Sequence, residues 1–266
     1  MRYLPPFFML HKYPMKKLNQ HPATWISPRV VAASLDRHNG SSLAPYDSLN
    51  VSLGVGDAPK TVLANRQLIK QTLNIPQLIS ARQNHGDQIL ILDQPLTHDQ
   101  EFDGYDALIT NQTGLGLMIQ QADCQAVLLH DPLTPSVAAI HCGWRGSVLN
   151  IIDKTIRSMM DTFHTDPTAL RAYISPSLGP CCAEFINYRS ELPPALHRFQ
   201  ARDNHFNFRQ ISHMHLTSAG VRPENIDQAG ICTACSPDYF SYRRACRSSS
   251  PLQGITGRNG SIIALR

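Results

Sequence analysis

Short apolar runs broken by polar turns fill the first half of the chain, and only two stretches carry helical spacing. QILIL at 88–92, DALIT at 106–110, LGLMIQ at 115–120, AVLLH at 126–130 and VAAIHC at 137–142 are separated by DGYD, NQTG and DPLTP. Runs this short, bounded by turn formers, predict buried strands. Ahead of them TWISPRVVAASL, from Trp25 onward, reads as strand material rich in β-branched and aromatic residues. The Gly- and Ser-rich stretch 36–57 is too long for a hairpin turn and predicts a loop of the kind that carries function. Between Ala58 and Asn74, Val62, Leu63, Leu68, Ile69 and Leu73 recur at near-helical intervals, with Asp57 placed as N-cap and Pro59 in the first turn. Beyond His141-Cys142-Gly143 the period changes again. Val148, Ile152, Ile156, Met159 and Phe163 share one helical face, so a strand runs through a turn at 143–146 into a helix.

The second half is less regular. LRAYIS at 170–175 and AGICT at 229–233 read as strands, SLGPCC as a turn, and 190–226 as an irregular, Pro-interrupted region that ends ahead of FSYRRACRSSS, GITGRNG and the apolar end SIIALR. No repeat or low-complexity tract is present. Strands alternating with a few helices predict the α/β class, as a single-domain α-β sandwich with mixed sheets.

At 266 residues, with 42% hydrophobic and 17% charged, the chain has material for one well-packed domain and no evident linker. The expected division is an N-terminal extension at 1–24, loosely ordered, and a catalytic domain at 25–266. The apolar patch at 1–17 is interrupted by prolines and lacks a small-residue cleavage site, so it reads neither as a signal peptide nor as a membrane span, and Met15 is an alternative start. Seven cysteines, an odd number in a chain too large to need stapling, favour reduced thiols and a cytoplasmic location. The net charge of +4 is scattered. Its densest group, Arg243, Arg244 and Arg247, does not form a stripe, which argues against nucleic acid and suits a small anionic substrate.

Candidate chemistry centres on His85 in RQNHGDQ, Cys124 in QQADCQAVLLHDP and His141 in AAIHCGWRG. Two imidazoles and a thiolate hold zinc with a fourth position open, the arrangement of a catalytic rather than a structural site. Cys124 and His141 fall at strand ends, where open α/β sheets place their sites. Asp123 is placed to orient a ligand. The adjacent Cys181-Cys182 pair is expected not to chelate one ion, and Cys232-x-x-Cys235 lacks a second such pair, so both are left out of the ligand set. His213 and His215 read as surface residues, and His130 as packing or capping a strand end.

The segments APYDSLNVSLGVGD, VLANRQLI, RQNHGDQI, DALIT, QADCQAVLLHDP, AAIHCGWRG, SPSLGPCCAEF, CTACSPDYFSYRR and TGRNGSI resemble, in that order, the YfiH-like family, also called the laccase-domain or polyphenol oxidoreductase family. The resemblance implies a zinc site of His85, Cys124 and His141. It also implies purine nucleoside phosphorylase activity on adenosine, inosine and methylthioadenosine, with adenosine deamination beside it. The sequence departs from the family's Thr-Arg-x-Gly-Gly segment, reading Asp36-Arg37-His38-Asn39-Gly40.

Within that reading Cys124, His141, Asp123 and Arg145 carry catalysis, and Arg37, Asn50 and Arg145 bind substrate. Arg145, in a turn that opens a helix, suits bidentate pairing with phosphate. The expected partners are small purine nucleosides and phosphate, with no nucleic acid and no membrane. Three other readings stay open. One is a cysteine hydrolase or amidase of cell-wall peptides, with Cys124 as nucleophile and His141 as its base. Another is a copper-dependent polyphenol oxidase, with copper replacing zinc, although a multicopper centre needs more histidine pairs than the single His213-x-His215. In the third, the metal merely supports a binding module.

Overall fold

Strands buried on both faces read as unbroken apolar runs, and the fold shows why this chain is full of them. The computed structural model describes residues 18–249 and 251–266. In chain order the first half contains β1 (Gln20–Pro22), β2 (Val30–Leu35), α1 (Pro59–Leu73), β3 (Gln77–Arg82), β4 (Ile89–Leu92), β5 (Gln100–Asp103), β6 (Ala107–Thr110), β7 (Leu115–Gln121), β8 (Gln125–Asp131) and β9 (Ser136–Cys142). There follow α2 (Trp144–Leu149), α3 (Ile151–Phe163), β10 (Arg171–Ile174), α4 (Tyr188–Glu191), β11 (Gln200–Arg202), β12 (His205–Phe206), α5 (Phe208–Ser218), β13 (Ile226–Gln228), α6 (Tyr242–Arg247) and β14 (Asn259–Leu265). One sheet has the order β1-β2-β14-β7-β3-β5 and the other β13-β10-β8-β9-β6-β4. Both are mixed: β3 runs parallel to β7 and β5, β4 to β6, and β10 to β13, while the remaining pairs are antiparallel.

The two sheets share a core in which Leu115, Leu117 and Ile119 of β7 meet Ala126 and Leu128 of β8 and Val137 and Ala139 of β9. Side chains alternate across each strand, so the intervening residues face outward. Met118 and Ile262 pack with Ile69 and Leu73 of α1. Val127, Leu129, Ala138 and Ile140 pack with Ile152, Ile156 and Met159 of α3 and Leu216 of α5. The result is a helix–sheet–sheet–helix sandwich, the predicted α/β class with mixed sheets.

Several elements differ from expectation. Leu18 and Ala23 are buried and β1 pairs with β2, so the ordered body starts ahead of Trp25; the expectation for 1–17 lies outside the described residues. Asp57 does not cap α1. The N-cap is Ala58, and the Asp57 carboxylate instead accepts from Ser42 Oγ and Asn50 Nδ2, tying down the long loop. The helix after β9 is broken at Asn150, whose left-handed φ of 54° ends α2 and starts α3, leaving Val148 exposed instead of on a shared buried face. The strand expected at AGICT lies earlier, at β13, with only a bridge from Cys232 to Ser177 beyond it. The region 190–226 contains α5, where His215 is buried and not on the surface. His130 packs on the Trp25 ring, 5.8 Å between centroids, and burial first, then the Arg171 charge, lowers its pKa to about 4.

Candidate active site

The chain crosses between the two sheets from β3 to β4 and from β7 to β8, and His85 and Cys124 lie in those crossings. β9 ends beside them: its Cys142 pairs with Gln125, so His141 arrives against the start of β8. Three remote segments are thereby brought to one edge of the sandwich. The ligand atoms of His85, Cys124 and His141 all lie within 4.8 Å of one another. Sγ of Cys124 is 3.9 Å from Nε2 of His85, and the two imidazole rings meet edge to face at 4.8 Å. His85 and Asp123 take left-handed φ values of 62° and 85°, a cost that non-glycine residues bear where surrounding structure holds them.

For His85 that structure is Asp106, at 0% exposure. Its Oδ1 accepts from His141 Nδ1 at 2.7 Å and from the His85 amide at 3.0 Å, while Oδ2 accepts from the amides of Gly86 at 2.8 Å and Asn84 at 3.2 Å. An ionised carboxylate only accepts, so His141 Nδ1 carries a proton and Nε2 is the ring nitrogen left to face the cluster. Burial alone would raise the Asp106 carboxyl, but the hydrogen bond and charge of His141 and the amide donors bring it below its ordinary value. Burial likewise opposes ionisation of Cys124 and His141. Attraction between the two, with Asp106 and His85 assisting, outweighs it, lowering the thiol to about 6 and raising the imidazole to about 9. Gly143 closes the back of the cluster, because a Cβ there would lie 3.0 Å from Cys124 Sγ and 3.3 Å from His85 Cδ2.

The cluster opens on a cavity of about 570 Å³, within the range of about 300–1,000 Å³ usual for small-molecule sites. Trp144, Phe185 and Phe208 line one side, with ring centroids 6.3 and 4.9 Å apart in succession. Arg243 and Arg258 line another. Burial pulls the Arg258 guanidinium down, while the Cys124 and Asp123 charges hold it up. Gln121 and Gln125, 2% and 3% exposed, border the cavity, but their Oε1 atoms are buried and have no hydrogen-bond partner among the described residues.

The other expected residues are placed differently. Asp123 borders the cavity, but its carboxylate accepts from Thr233 Oγ1 at 2.7 Å and the Arg243 amide at 2.6 Å, fastening two later loops to the Cys124 turn. Arg145 is exposed, its guanidinium 5.0 Å from the Trp144 ring centroid, and is not in the cavity wall. Arg37 pairs with Asp47 at 3.0 Å and lies over Phe240, also outside the wall. Asn50 is fully buried. Its amide donates to Ser52 O and Asp57 Oδ2 and accepts from the amides of Ser52 and Arg258, so it shapes the loop that presents Arg258. Asn39 adopts φ 67°, the conformation a glycine would take there.

Sequence reasoning missed Asp106, Arg258 and the aromatic wall. Asp106 had one visible signal, an acidic residue opening the apolar strand DALIT. The later cysteines, left out of the ligand set, are brought together by the fold: the Sγ atoms of Cys181, Cys182, Cys232 and Cys235 lie within 4.8 Å of one another. A tight turn, with the Cys182 amide donating to Gly179 O at 2.9 Å, lets adjacent cysteines both reach Cys235.

Residues 31–266 match the family model described as multi-copper polyphenol oxidoreductase laccase. A purine nucleoside phosphorylase of Streptomyces coelicolor is 32% identical over 216 residues, 79% of this chain and 88% of that one. Among solved structures, the hypothetical protein YfiH of Bacillus licheniformis superposes with a TM-score of 0.80 at 26% identity, covering 89% of this chain and 93% of that one. YlmD from Geobacillus stearothermophilus gives 0.78 at 27% identity, covering 90% and 93%. No helix among the described residues is long and apolar enough to cross a membrane. Because the family match takes in both sheets, the cluster of His85, Cys124 and His141 and the cavity beside it, the chain belongs to the YfiH-like family of multi-copper polyphenol oxidoreductase laccases.

Proposed function

We propose that the protein is a zinc-dependent purine nucleoside phosphorylase, cytoplasmic, that also deaminates adenosine. Its substrates are adenosine, inosine and methylthioadenosine with phosphate. The observation that carries this is the meeting of His85, Cys124 and His141 at a cavity with both an aromatic and an arginine-bearing wall. The donor set fits zinc: two imidazole nitrogens and one thiolate leave a tetrahedral ion one position short, and Asp106 holds His141 in the tautomer a metal ligand needs. Zinc bound there supplies Lewis acidity at the cavity floor. That relatives are named purine nucleoside phosphorylase supports the reaction class.

In phosphorolysis an oxygen of phosphate attacks the anomeric carbon, the bond to the base nitrogen breaks, and the base leaves with its electron pair and takes up a proton. The purine stacks on the aromatic wall of Trp144, Phe185 and Phe208. Arg258 and Arg243 hold the phosphate, a role the sequence suggested for Arg145 and Arg37; those two act from outside the wall, Arg145 by steadying Trp144 and Arg37 by bracing the loop before α1. The test is incubation of zinc-loaded protein with adenosine, with and without phosphate, and chromatography of the products. Adenine formed only with phosphate, and inosine formed without it, are the expected results; neither product appearing overturns the reading.

One observation favours a second reading. A Cys124 thiolate beside a charged His141 is also the resting state of a cysteine nucleophile. Amidase activity that survives chelation and disappears on alkylation of Cys124 selects that hydrolase. A multicopper oxidase has less support: among the described residues the two metal-capable groups contain only two histidines between them.

A further inference from the structure

The loops that leave β10 and β13 bring four sulfurs together. These strands are parallel neighbours, so the chain exits both at the same end, and the bridge from Ser177 to Cys232 keeps the exits side by side. The Sγ atoms of Cys181, Cys182, Cys232 and Cys235 all lie within 4.8 Å of one another. Cys235 Sγ stands 3.6 Å from that of Cys181 and 3.5 Å from that of Cys182. Zinc holds thiolates at about 2.3 Å, which sets tetrahedral sulfurs about 3.8 Å apart, whereas a disulfide bond is about 2.0 Å. The spacing suits four ligands around one ion.

The surroundings agree. The amides of Cys182 and Ser236 donate to Gly179 O and Cys232 O, each at 2.9 Å, forming two tight turns. The Gly179 amide donates to Cys232 Sγ at 3.3 Å, the kind of outer contact that supports a bound thiolate. A Cβ on Gly179 would lie 3.0 Å from Cys232 Cβ and 3.3 Å from Cys181 Sγ, so the turn needs glycine. Behind the cluster Arg209, 7% exposed, donates to the carbonyls of Ser177 and Ile231. No carboxylate lies within ion-pair distance of it among the described residues, and the Cys232 and Cys181 sulfurs are close enough to act on its charge. A buried cation needs compensation. Four thiolates around a divalent ion keep a net negative charge and supply it.

We propose that these cysteines form a second, closed metal centre, occupied by zinc, that pins the β10 and β13 exit loops together. All four positions are filled by sulfur, so the centre is structural. It supports the cavity at one remove: the Leu178 amide donates to Asp123 O at 2.8 Å and Thr233 Oγ1 to the Asp123 carboxylate, so the clipped loops clasp the residue beside Cys124.

The test uses the full chain expressed without added metal. With His85→Ala and His141→Ala emptying the first cluster, mass spectrometry should find one zinc per chain. Exchange with Co2+ should give the charge-transfer absorption of a four-thiolate tetrahedral site, and adding Cys181→Ser and Cys235→Ser should remove both signals. A second measurement needs no variant: in the wild-type protein these four thiols should resist alkylation until a chelator is added. The proposal is overturned if the first-cluster variant folds yet carries neither zinc nor the cobalt band, if the four thiols alkylate equally fast with and without chelator, or if reduced preparations contain a disulfide among them.

Discussion

His85, Cys124 and His141 come from three separate segments and meet at the edge of a cavity, whereas Cys181, Cys182, Cys232 and Cys235 come from two loops and meet against Arg209, outside the cavity wall. The first group mixes nitrogen and sulfur, has one imidazole exposed, and owes its geometry to a single buried carboxylate. The second is all sulfur and owes its geometry to backbone turns. On the proposed assignments coordination count separates their roles: three ligands leave room for a reacting molecule and four do not. Both depend on contacts between distant parts of the chain, so cysteine content alone distinguishes neither.

The sharpest way to break the contrast is to exchange cysteines in each group, one in the first and two in the second. Cys124→Ser should lower nucleoside turnover by about 4 kcal/mol in activation free energy, on the order of a thousandfold, with circular dichroism unchanged. Cys181→Ser with Cys235→Ser should spare the zinc of the first group and instead lower Tm by roughly 10 °C, from the loss of about 4 kcal/mol of metal-linked stability. If the effects are reversed, with rate lost from the cysteine loops and stability from Cys124, the assignment of open and closed sites is wrong.

Protons sharpen the comparison next. In the metal-free protein Cys124 gives up its proton near pH 6 while His141 keeps its own to about 9. Between those values a metal must displace one proton, from the His141 Nε2, so zinc affinity at the first group should rise about tenfold per pH unit. Below pH 6 two protons must leave and the slope steepens; above 9 it flattens. Competition with a chromophoric chelator across this range checks the sign, and a flat profile would mean that His141 is not a ligand.

Two smaller effects isolate the supports. Asp106→Asn keeps volume but loses an acceptor, and should weaken zinc binding by about 10–100-fold, the usual cost of an outer-ligand change. Equal affinity in the variant would leave Asp106 with no part in the site beyond folding. Arg258→Ala should impair the use of phosphate by about 1.5–3 kcal/mol, roughly ten- to a hundredfold in KM for phosphate, whereas Arg145→Ala should cost less than about 1 kcal/mol because it is exposed. The opposite ranking would return the phosphate to Arg145.

Much of this was legible in the sequence. Strands β6 to β9 are buried on both faces and announce themselves as apolar runs, as does the edge strand β4 with Ile91 exposed, and strand ends pointed to Cys124 and His141. What was hidden had weak local signals. β3, QLISAR, has polar residues at both ends and is held by parallel partners on either side. The buried positions of α5, Phe208, Ile211, His215 and Leu216, are helically spaced, yet histidines and serines dilute the pattern. Asp106 and the pairing of Cys181-Cys182 with Cys232 and Cys235 depend on register between strands far apart in the chain, which residue spacing cannot convey.

One atom, Asp106 Oδ1, receives both the His141 ring proton and the His85 amide. The His141 ring and the His85 backbone are therefore tied to one atom, on a carboxylate with no exposed surface, while the His85 ring keeps its own torsions. That carboxylate is a common anchor for the end of β9 and the β3–β4 crossing, so its loss would release both together, while Cys124 is secured separately, through Asp123, by Thr233 and Arg243.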